Sequence, residues 1–333
     1  MPAYTIQSLV MTTGHDAPLT TTQDLIDAVE RVRPFARRTP LLDLSDLAGR
    51  SLILKCEHHQ PAGAFKIRGA SNTIAALSPD ALKRGVVTYS SGNHGQAVAL
   101  AAQRLGVPAV IVMPTTAPAI KVAGVKRFGG EVILEGTTSI ERRKRAEAEA
   151  ASRGLTMVPP FDHPMVIAGQ GTCGLEILEQ LPNVGTVVVP VGGGGLLSGV
   201  AAAIKLTNPT VKVIGVEPAG AAKMAASLAA GHPVTLDKTA SIADGLMPVR
   251  PGDLTFAHAR VFVDQMITVD DKMIAEATMW LFYEAKQVVE PSGAATTAAV
   301  LNGLITGPGP VVVIVSGGNV SPETLAAVDS KRL

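Results

Sequence analysis

Cysteine is nearly absent: Cys56 and Cys173 are the only two in 333 residues. That excludes a disulfide framework and a paired-cysteine metal motif, and it suits the reducing cytoplasm. An excess of either charge is also missing. Lysine and arginine number 29 against 28 aspartates and glutamates, and a net charge of +1 gives nothing to attract nucleic acid or an anionic membrane. No apolar run reaches ~18 residues without glycine or charge, so no membrane span is expected. The Thr-rich N-terminus lacks a basic segment followed by an apolar core, so no signal peptide is expected. Charge as a whole is scarce, at 17% of residues, below the ~25% of a typical domain. With 47% hydrophobic residues, much surface must be buried, part of it between subunits. A homodimer or homotetramer acting on a small molecule is expected.

What is present is a regular alternation. The length suits about two domains at roughly 150 residues each. Thr22 or Asp24 caps a helix running to about Val32, and Ser51 to Glu57 reads as a strand. A helix after Lys66 is expected to stop at Ser78-Pro79, because proline removes a helical donor. From Gly85 onward the strands Val86 to Ser90, Ala109 to Met113 and Glu131 to Glu135 alternate with helices. Such alternation implies parallel pairing and an α/β sandwich. Pro159-Pro160 marks a hinge out of this unit. Beyond it come the strands Thr186 to Val191, Val211 to Glu217 and Val311 to Val315, again separated by helices.

Three breaks between strand and helix carry the chemistry. Gly192, Gly193, Gly194 and Gly195 lie between a buried strand and a helix. Glycine costs backbone entropy where it is not needed, and a permissive tight turn would use one or two. Four suit the close approach of N–H groups to a phosphate at a helix N-terminus. Glu217 lies where a nicotinamide-binding fold keeps its ribose-binding acid, which makes a dehydrogenase the rival. No G-x-G-x-x-G/A register fits, because its last position falls on Leu197 or Ser198, and Walker A is absent. A non-catalytic phosphate-binding protein is a further alternative. In Ser90-Ser91-Gly92-Asn93-His94-Gly95-Gln96, N–H groups at a helix start could hold a carboxylate, or Ser91 or Asn93 could merely cap the helix. Ser316-Gly317-Gly318-Asn319 offers a hydroxyl at a strand's C-terminal end, where open α/β sheets bind ligands. Lys66 sits between Phe65 and Ile67. Desolvation there would lower its pKa and make it a nucleophile toward aldehydes, although a lysine can also snorkel to solvent.

These segments occur in an order that resembles the threonine dehydratase and serine racemase group of fold-type II pyridoxal-phosphate enzymes. The motifs are Ala64 to Ala70, Ser91 to Gln96, Ala168 to Thr172, Gly192 to Gly195, Glu290 to Gly293 and Ser316 to Asn319, and the likeness covers about residues 20 to 325. It implies an α/β fold like tryptophan synthase β: two three-layer α/β/α domains with pyridoxal 5'-phosphate in the cleft between them. The large domain would comprise residues 1–80 and 162–333, and the small one 85–160, in keeping with ordinary domain sizes. It implies that Lys66 forms the Schiff base with the cofactor, with Phe65 beside the ring. Gly192 to Gly195 and the amide of Leu196 would hold the phosphate, Asn93 the ring hydroxyl and Ser316 the pyridine nitrogen. N–H groups of Ser90, Ser91, Gly92, Asn93 and His94 would hold the substrate carboxylate, and Ser91 would face Cα opposite Lys66. The activity implied is a dehydratase (ammonia-lyase) of β-hydroxy-α-amino acids such as threonine or serine. The methyls of Ala62 and Ala64 make the wall beside the lysine more apolar, so bulkier substrates such as phenylserine are expected as well. A serine racemase or a 3-hydroxyaspartate dehydratase is the near alternative.

The sequence departs from that group in places. Ala62-Gly63-Ala64 lacks two hydroxyls usual before the lysine, and Glu57-His58 replaces Glu-Asn. The adjacent pair His58-His59 invites a metal reading, but neighbours on a strand point to opposite faces, so surface histidines are expected. Lys223 stands where metal-dependent relatives keep a carboxylate, so no metal is expected: its ammonium beside Glu217 would take the cation's place. Arg142 lies near an arginine that racemases keep close to the substrate, but its segment reads as a solvated helix face. The chain ends at Leu333, shortly after Ser316, and no isoleucine feedback at a separate site is expected.

Overall fold

The computed structural model describes residues 18–330 apart from Ser91 and Pro118. Among them, the strands in chain order are β1 (Leu41–Asp43), β2 (Ile53–Lys55), β3 (Val86–Tyr89), β4 (Ala109–Met113), β5 (Glu131–Leu134), β6 (Thr156–Met157), β7 (Thr186–Pro190), β8 (Lys212–Pro218), β9 (Gln265–Val269) and β10 (Val311–Ile314). They form a six-stranded sheet, β1-β2-β10-β7-β8-β9, and a four-stranded sheet, β5-β4-β3-β6. Every pairing is parallel except that of β1 with β2.

Parallel strands are covered on both faces, which is why the inner ones are unbroken apolar runs. Thr-Val-Val-Val-Pro of β7 is buried throughout. Successive side chains take opposite faces. Leu54, Val188, Val216 and Val313 meet the helices Asp271–Tyr283 and Pro291–Leu301, while Ile53, Val187, Val189, Val312 and Ile314 meet Pro164–Gln180 and Gly195–Thr207. In the smaller sheet, Val86 and Ile111 pack toward the helix Asn93–Leu105, and Val87, Val110 and Val112 toward Ser139–Arg153. Both sheets are therefore central layers of α/β/α sandwiches.

Several local expectations are corrected. The cap of the helix Thr22–Val32 is Thr21, whose hydroxyl accepts from the Asp24 amide in a capping box. The strand expected over Ser51 to Glu57 stops at Lys55, and Glu57–His59 is a 3₁₀ turn. The helix after Lys66 ends at Ala75, short of Pro79; that proline instead opens the helix Pro79–Arg84 at a position where its missing N–H costs nothing, behind a Ser78 cap.

Candidate active site

The C-terminal ends of β2 and β10 deliver two loops that grip each other. Phe65 N–H donates to the Ser316 carbonyl (3.0 Å), Gly318 N–H donates to the Gly63 carbonyl (2.9 Å), and Ala64 forms a bridge with Gly317. This clamp fixes Lys66 at the start of the helix Ile67–Ala75. The Lys66 ammonium is half-buried, 5.0 Å from the Phe65 ring centroid, and donates to the Pro160 carbonyl at 2.7 Å. Among the described residues no carboxylate pairs with it. Desolvation lowers its pKa to about 8, so a useful fraction is free amine near neutrality.

Pro160 leads to Phe161, and Phe161 leads to the glycines. A Cβ on Gly193 would lie within 2.4 Å of the Phe161 ring, and one on Gly195 would meet the Phe161 backbone at 3.1 Å. Gly194 adopts φ +100°, where side chains are strained. The helix Gly195–Thr207 starts immediately, with no side-chain cap on its first N–H groups. Gly192 and the buried Leu196 flank this concavity. The result is a helix N-terminus lined by backbone alone, opening beside Lys66.

The third wall is a chain of side-chain amides. Asn319 donates to the Ala62 carbonyl and to Asn93 Oδ1 (2.8 and 2.9 Å), and Asn93 Nδ2 donates to Glu290 Oε1 (2.7 Å). The amide nitrogen carries two hydrogens, so one is left for a ligand. Ser316 is buried at the same strand end. Ser90 Oγ accepts from Gly92 N–H (3.1 Å), and Gly92 begins the helix Asn93–Leu105 with no side-chain cap, so the capping alternative for Asn93 does not hold. Buried His94 meets the Val158 carbonyl through Nε2 at 3.0 Å; burial, with Lys66 nearby, lowers its pKa to about 3, leaving it neutral. Ser91 lies outside the described residues. Lys66, Phe65, Asn93, Ser316 and the glycine loop are thus brought together around one cleft.

Sequence reading gave Glu290 no role. Its carboxyl touches both Asn93 and the backbone of Gly317, where a Cβ would come within 2.3 Å of Oε1. Burial, reinforced by Asp244, raises its pKa to about 7. Its place as the titratable member of Glu290 to Gly293 was the available signal.

Behind the cleft, charges are matched. Arg68 donates to both Glu57 oxygens (2.7 and 2.8 Å) and to Glu176, while Lys55 donates to Glu176 (2.6 Å). Burial alone would raise the Glu57 pKa, but Arg68 holds it down at about 2. Lys223 is enclosed by the carbonyls of Val191 (2.9 Å), Ala221 (3.0 Å) and Leu246 (3.0 Å) and by Glu217 Oε1 (3.1 Å). Four oxygens around one buried ammonium form a cation site whose cation is covalently attached.

Two surface expectations fail. Arg142 is buried, with Nη1 on the Thr137 carbonyl at 3.1 Å and Nε without a partner among the described residues, because the start of the helix Ser139–Arg153 tucks this face toward β3. His58 is buried too. The 3₁₀ turn brings its ring to 4.1 Å from that of exposed His59, where a strand would have separated them.

Comparison with known proteins agrees with this geometry. The model of a family described as "Pyridoxal-phosphate dependent enzyme" matches residues 32–317. An L-threonine ammonia-lyase of Thermotoga maritima is 46% identical over 316 residues, covering 94% of this chain and 79% of the relative. A serine racemase of Oryza sativa subsp. indica is 45% identical over 303 residues, covering 88% and 89%. The structure of maize serine racemase superposes with a TM-score of 0.89 at 42% identity, covering 94% of this chain and 98% of that one. Among the described residues no helix is long and apolar enough to cross a membrane.

Proposed function

The chain belongs to the pyridoxal-phosphate dependent enzyme family, and on that premise we propose that it is a dehydratase of β-hydroxy-α-amino acids, releasing a 2-oxo acid and ammonia. The observation that carries the reading is Lys66: a desolvated amine without a carboxylate partner among the described residues, set beside a backbone-lined helix N-terminus.

The residues fit the cofactor. A phosphate needs a cradle without side chains; a Cβ at Gly193 would collide with the Phe161 ring, and one at Gly195 would press on the Phe161 backbone at 3.1 Å. Gly192 to Gly195 and the Leu196 amide would hold that phosphate, where the helix dipole favours negative charge. Lys66 would condense with the aldehyde, Phe65 would flank the ring, Asn93 would donate to the ring hydroxyl, and Ser316 would meet the ring nitrogen. When bound, pyridoxal phosphate supplies the electron sink that loosens the substrate's Cα–H bond.

The chain's own groups do the rest. N–H groups at the start of the helix Asn93–Leu105, with Ser90, Ser91, Gly92 and His94, hold the substrate carboxylate and so orient Cα. Once the substrate's amine has displaced it from the aldehyde, Lys66 Nζ would again be a free amine and takes the Cα proton. Loss of the β-hydroxyl as water, followed by hydrolysis of the enamine, balances to a 2-oxo acid and ammonia. Ser316, neutral and buried, would leave the ring nitrogen largely unprotonated, which would favour prompt elimination. The same proposal includes a large domain of residues 1–80 and 162–333 with a small one of 85–160, and a cytoplasmic homodimer or homotetramer. It is supported by the two sheets, the low charged fraction and the scarcity of cysteine.

Arg142 favours a second substrate class. A buried guanidinium with Nε uncommitted suits a carboxylate held bidentately, as on 3-hydroxyaspartate. The deciding experiment compares kcat/KM for threonine, serine, phenylserine and 3-hydroxyaspartate by keto-acid release, with chiral analysis of recovered substrate. Turnover of the first three ahead of the fourth is expected. Preference for 3-hydroxyaspartate, lost in Arg142→Ala, selects the second class, and racemisation outpacing keto-acid release overturns the dehydratase.

A further inference from the structure

The segment Cys56-Glu57-His58-His59 leaves β2 and turns at once into 3₁₀ geometry, with Cys56 as its N-cap. Side chains three apart eclipse in a 3₁₀ turn, so Cys56 and His59 share one side of it. One ligand atom from each of Cys56, His58 and His59 lies within 4.8 Å of the other two. A thiol and two imidazoles are the donor set for a borderline-soft cation such as zinc.

A second observation comes from Gln287. Its Oε1 accepts from Nε2 of His58 (3.0 Å) and Nε2 of His59 (3.1 Å), while its own amide nitrogen donates to the Ala285 carbonyl (3.3 Å), which fixes the orientation of the amide. Preceding Gln287, Lys286 is held at φ +57°, a conformation uncommon for a residue with a side chain. With both Nε2 atoms donating, Nδ1 of each ring keeps its lone pair. His58 is only 8% exposed, and its Nδ1 is sealed from solvent without any partner among the described residues. An imidazole whose Nε2–H is tied to an oxygen while Nδ1 stays bare is the arrangement of a histidine ligand with its outer-shell partner.

We propose that Cys56, His58 and His59 form a binding site for a thiophilic divalent cation of the zinc class, with Gln287 fixing both imidazoles. The site is separate from the Glu217–Lys223 pair and lies behind the Ser316 to Asn319 loop, where a Cβ on Gly318 would come to 3.3 Å from the His58 Cβ. Bonds of about 2.3 Å to sulfur and about 2.0 Å to nitrogen require the three atoms to draw closer by roughly an ångström, through a small tightening of the 3₁₀ turn that carries all three. A water completes the coordination from the open His59 side. Cys56 is fully buried with its thiol on the Leu54 carbonyl; as the metal–sulfur bond forms, that hydrogen bond is given up and the thiol proton passes through the coordinated water to solvent.

The test is equilibrium dialysis of the holoenzyme against Zn²⁺ with metal analysis, and against Cd²⁺ with ultraviolet detection of thiolate-to-metal charge transfer. One ion per chain and a charge-transfer band are expected in the wild type. Cys56→Ser should abolish the band, and Gln287→Ala and His59→Ala should each weaken binding by about 10–100-fold. His59 is exposed, so its variant carries the test if Cys56→Ser does not fold. No retained ion, retention without a thiolate band, or unchanged affinity in His59→Ala overturns the proposal.

Discussion

Lys66 and Arg68 are separated by one residue, yet they sit in opposite electrostatic surroundings. Arg68 is surrounded by acceptors: both oxygens of Glu57, both of Glu176 and the Thr172 hydroxyl. Lys66 has one carbonyl and no counter-charge among the described residues. The difference separates scaffold from chemistry. A fully matched buried charge resists any change of protonation, whereas an unmatched one is poised to lose its proton. Glu290 belongs with Lys66, since it lies in the cleft with its proton held up to about 7.

The comparison breaks most visibly at Lys66. Lys66→Ala should lower turnover by at least ~10³-fold with the circular dichroism spectrum of the folded chain unchanged. Near wild-type activity in that variant would falsify the assignment. Arg68→Ala should do the reverse, because it removes the cationic partner of Glu57 in the interior. A loss of about 3–5 kcal/mol of unfolding free energy is expected, read by urea titration, and a stable, inactive Arg68→Ala would erase the distinction drawn here.

Glu290 sharpens it with a sign. Its folded pKa lies above the ordinary 4.5, at about 7, through burial and Asp244. The stability this group contributes is fully present below pH 4.5 and is lost as pH rises through 7, an amount of about 3 kcal/mol. Glu290→Gln should therefore lose less stability than the wild type between pH 5 and pH 8. Parallel melting-temperature profiles for the two proteins would count against the raised pKa. The smallest effect is expected at Lys223, whose ammonium burial pushes toward neutrality while Glu217 opposes it. Exhaustive chelation should leave activity unchanged; a loss restored by Mg²⁺ would show that a free cation is needed after all.

Much of this was legible in the residues, for physical reasons. Interior parallel strands such as β7 and β10 are continuous valine runs, and four glycines before a helix have few uses. Strands β1, β6 and β9 are short or half-exposed and leave no comparable pattern. The environments of Arg142, His58 and Glu290 were not legible because each is made by distant partners. A helix face rich in charge gave no hint that Arg142 alone turns inward, and the strand periodicity assigned to His58-His59 assumed an extended backbone that ends at Lys55. The proton affinity of Glu290 depends on Asp244 and Asn93, far away in sequence.

The glycine loop has a consequence for heredity. Every replacement at the first or second base of a glycine codon changes the residue, so each such mutation in the codons of Gly193, Gly194 or Gly195 that still encodes an amino acid installs a side chain. Those side chains would meet Phe161 or Thr255 at 3.1 Å or closer, and at Gly194 they would also be forced into a left-handed backbone. A lineage crossing this part of sequence space has no neutral neighbours here except through synonymous third-base changes. Drift in the gene should therefore stall at these three codons while it continues freely in those of exposed helix faces such as Ser139–Arg153.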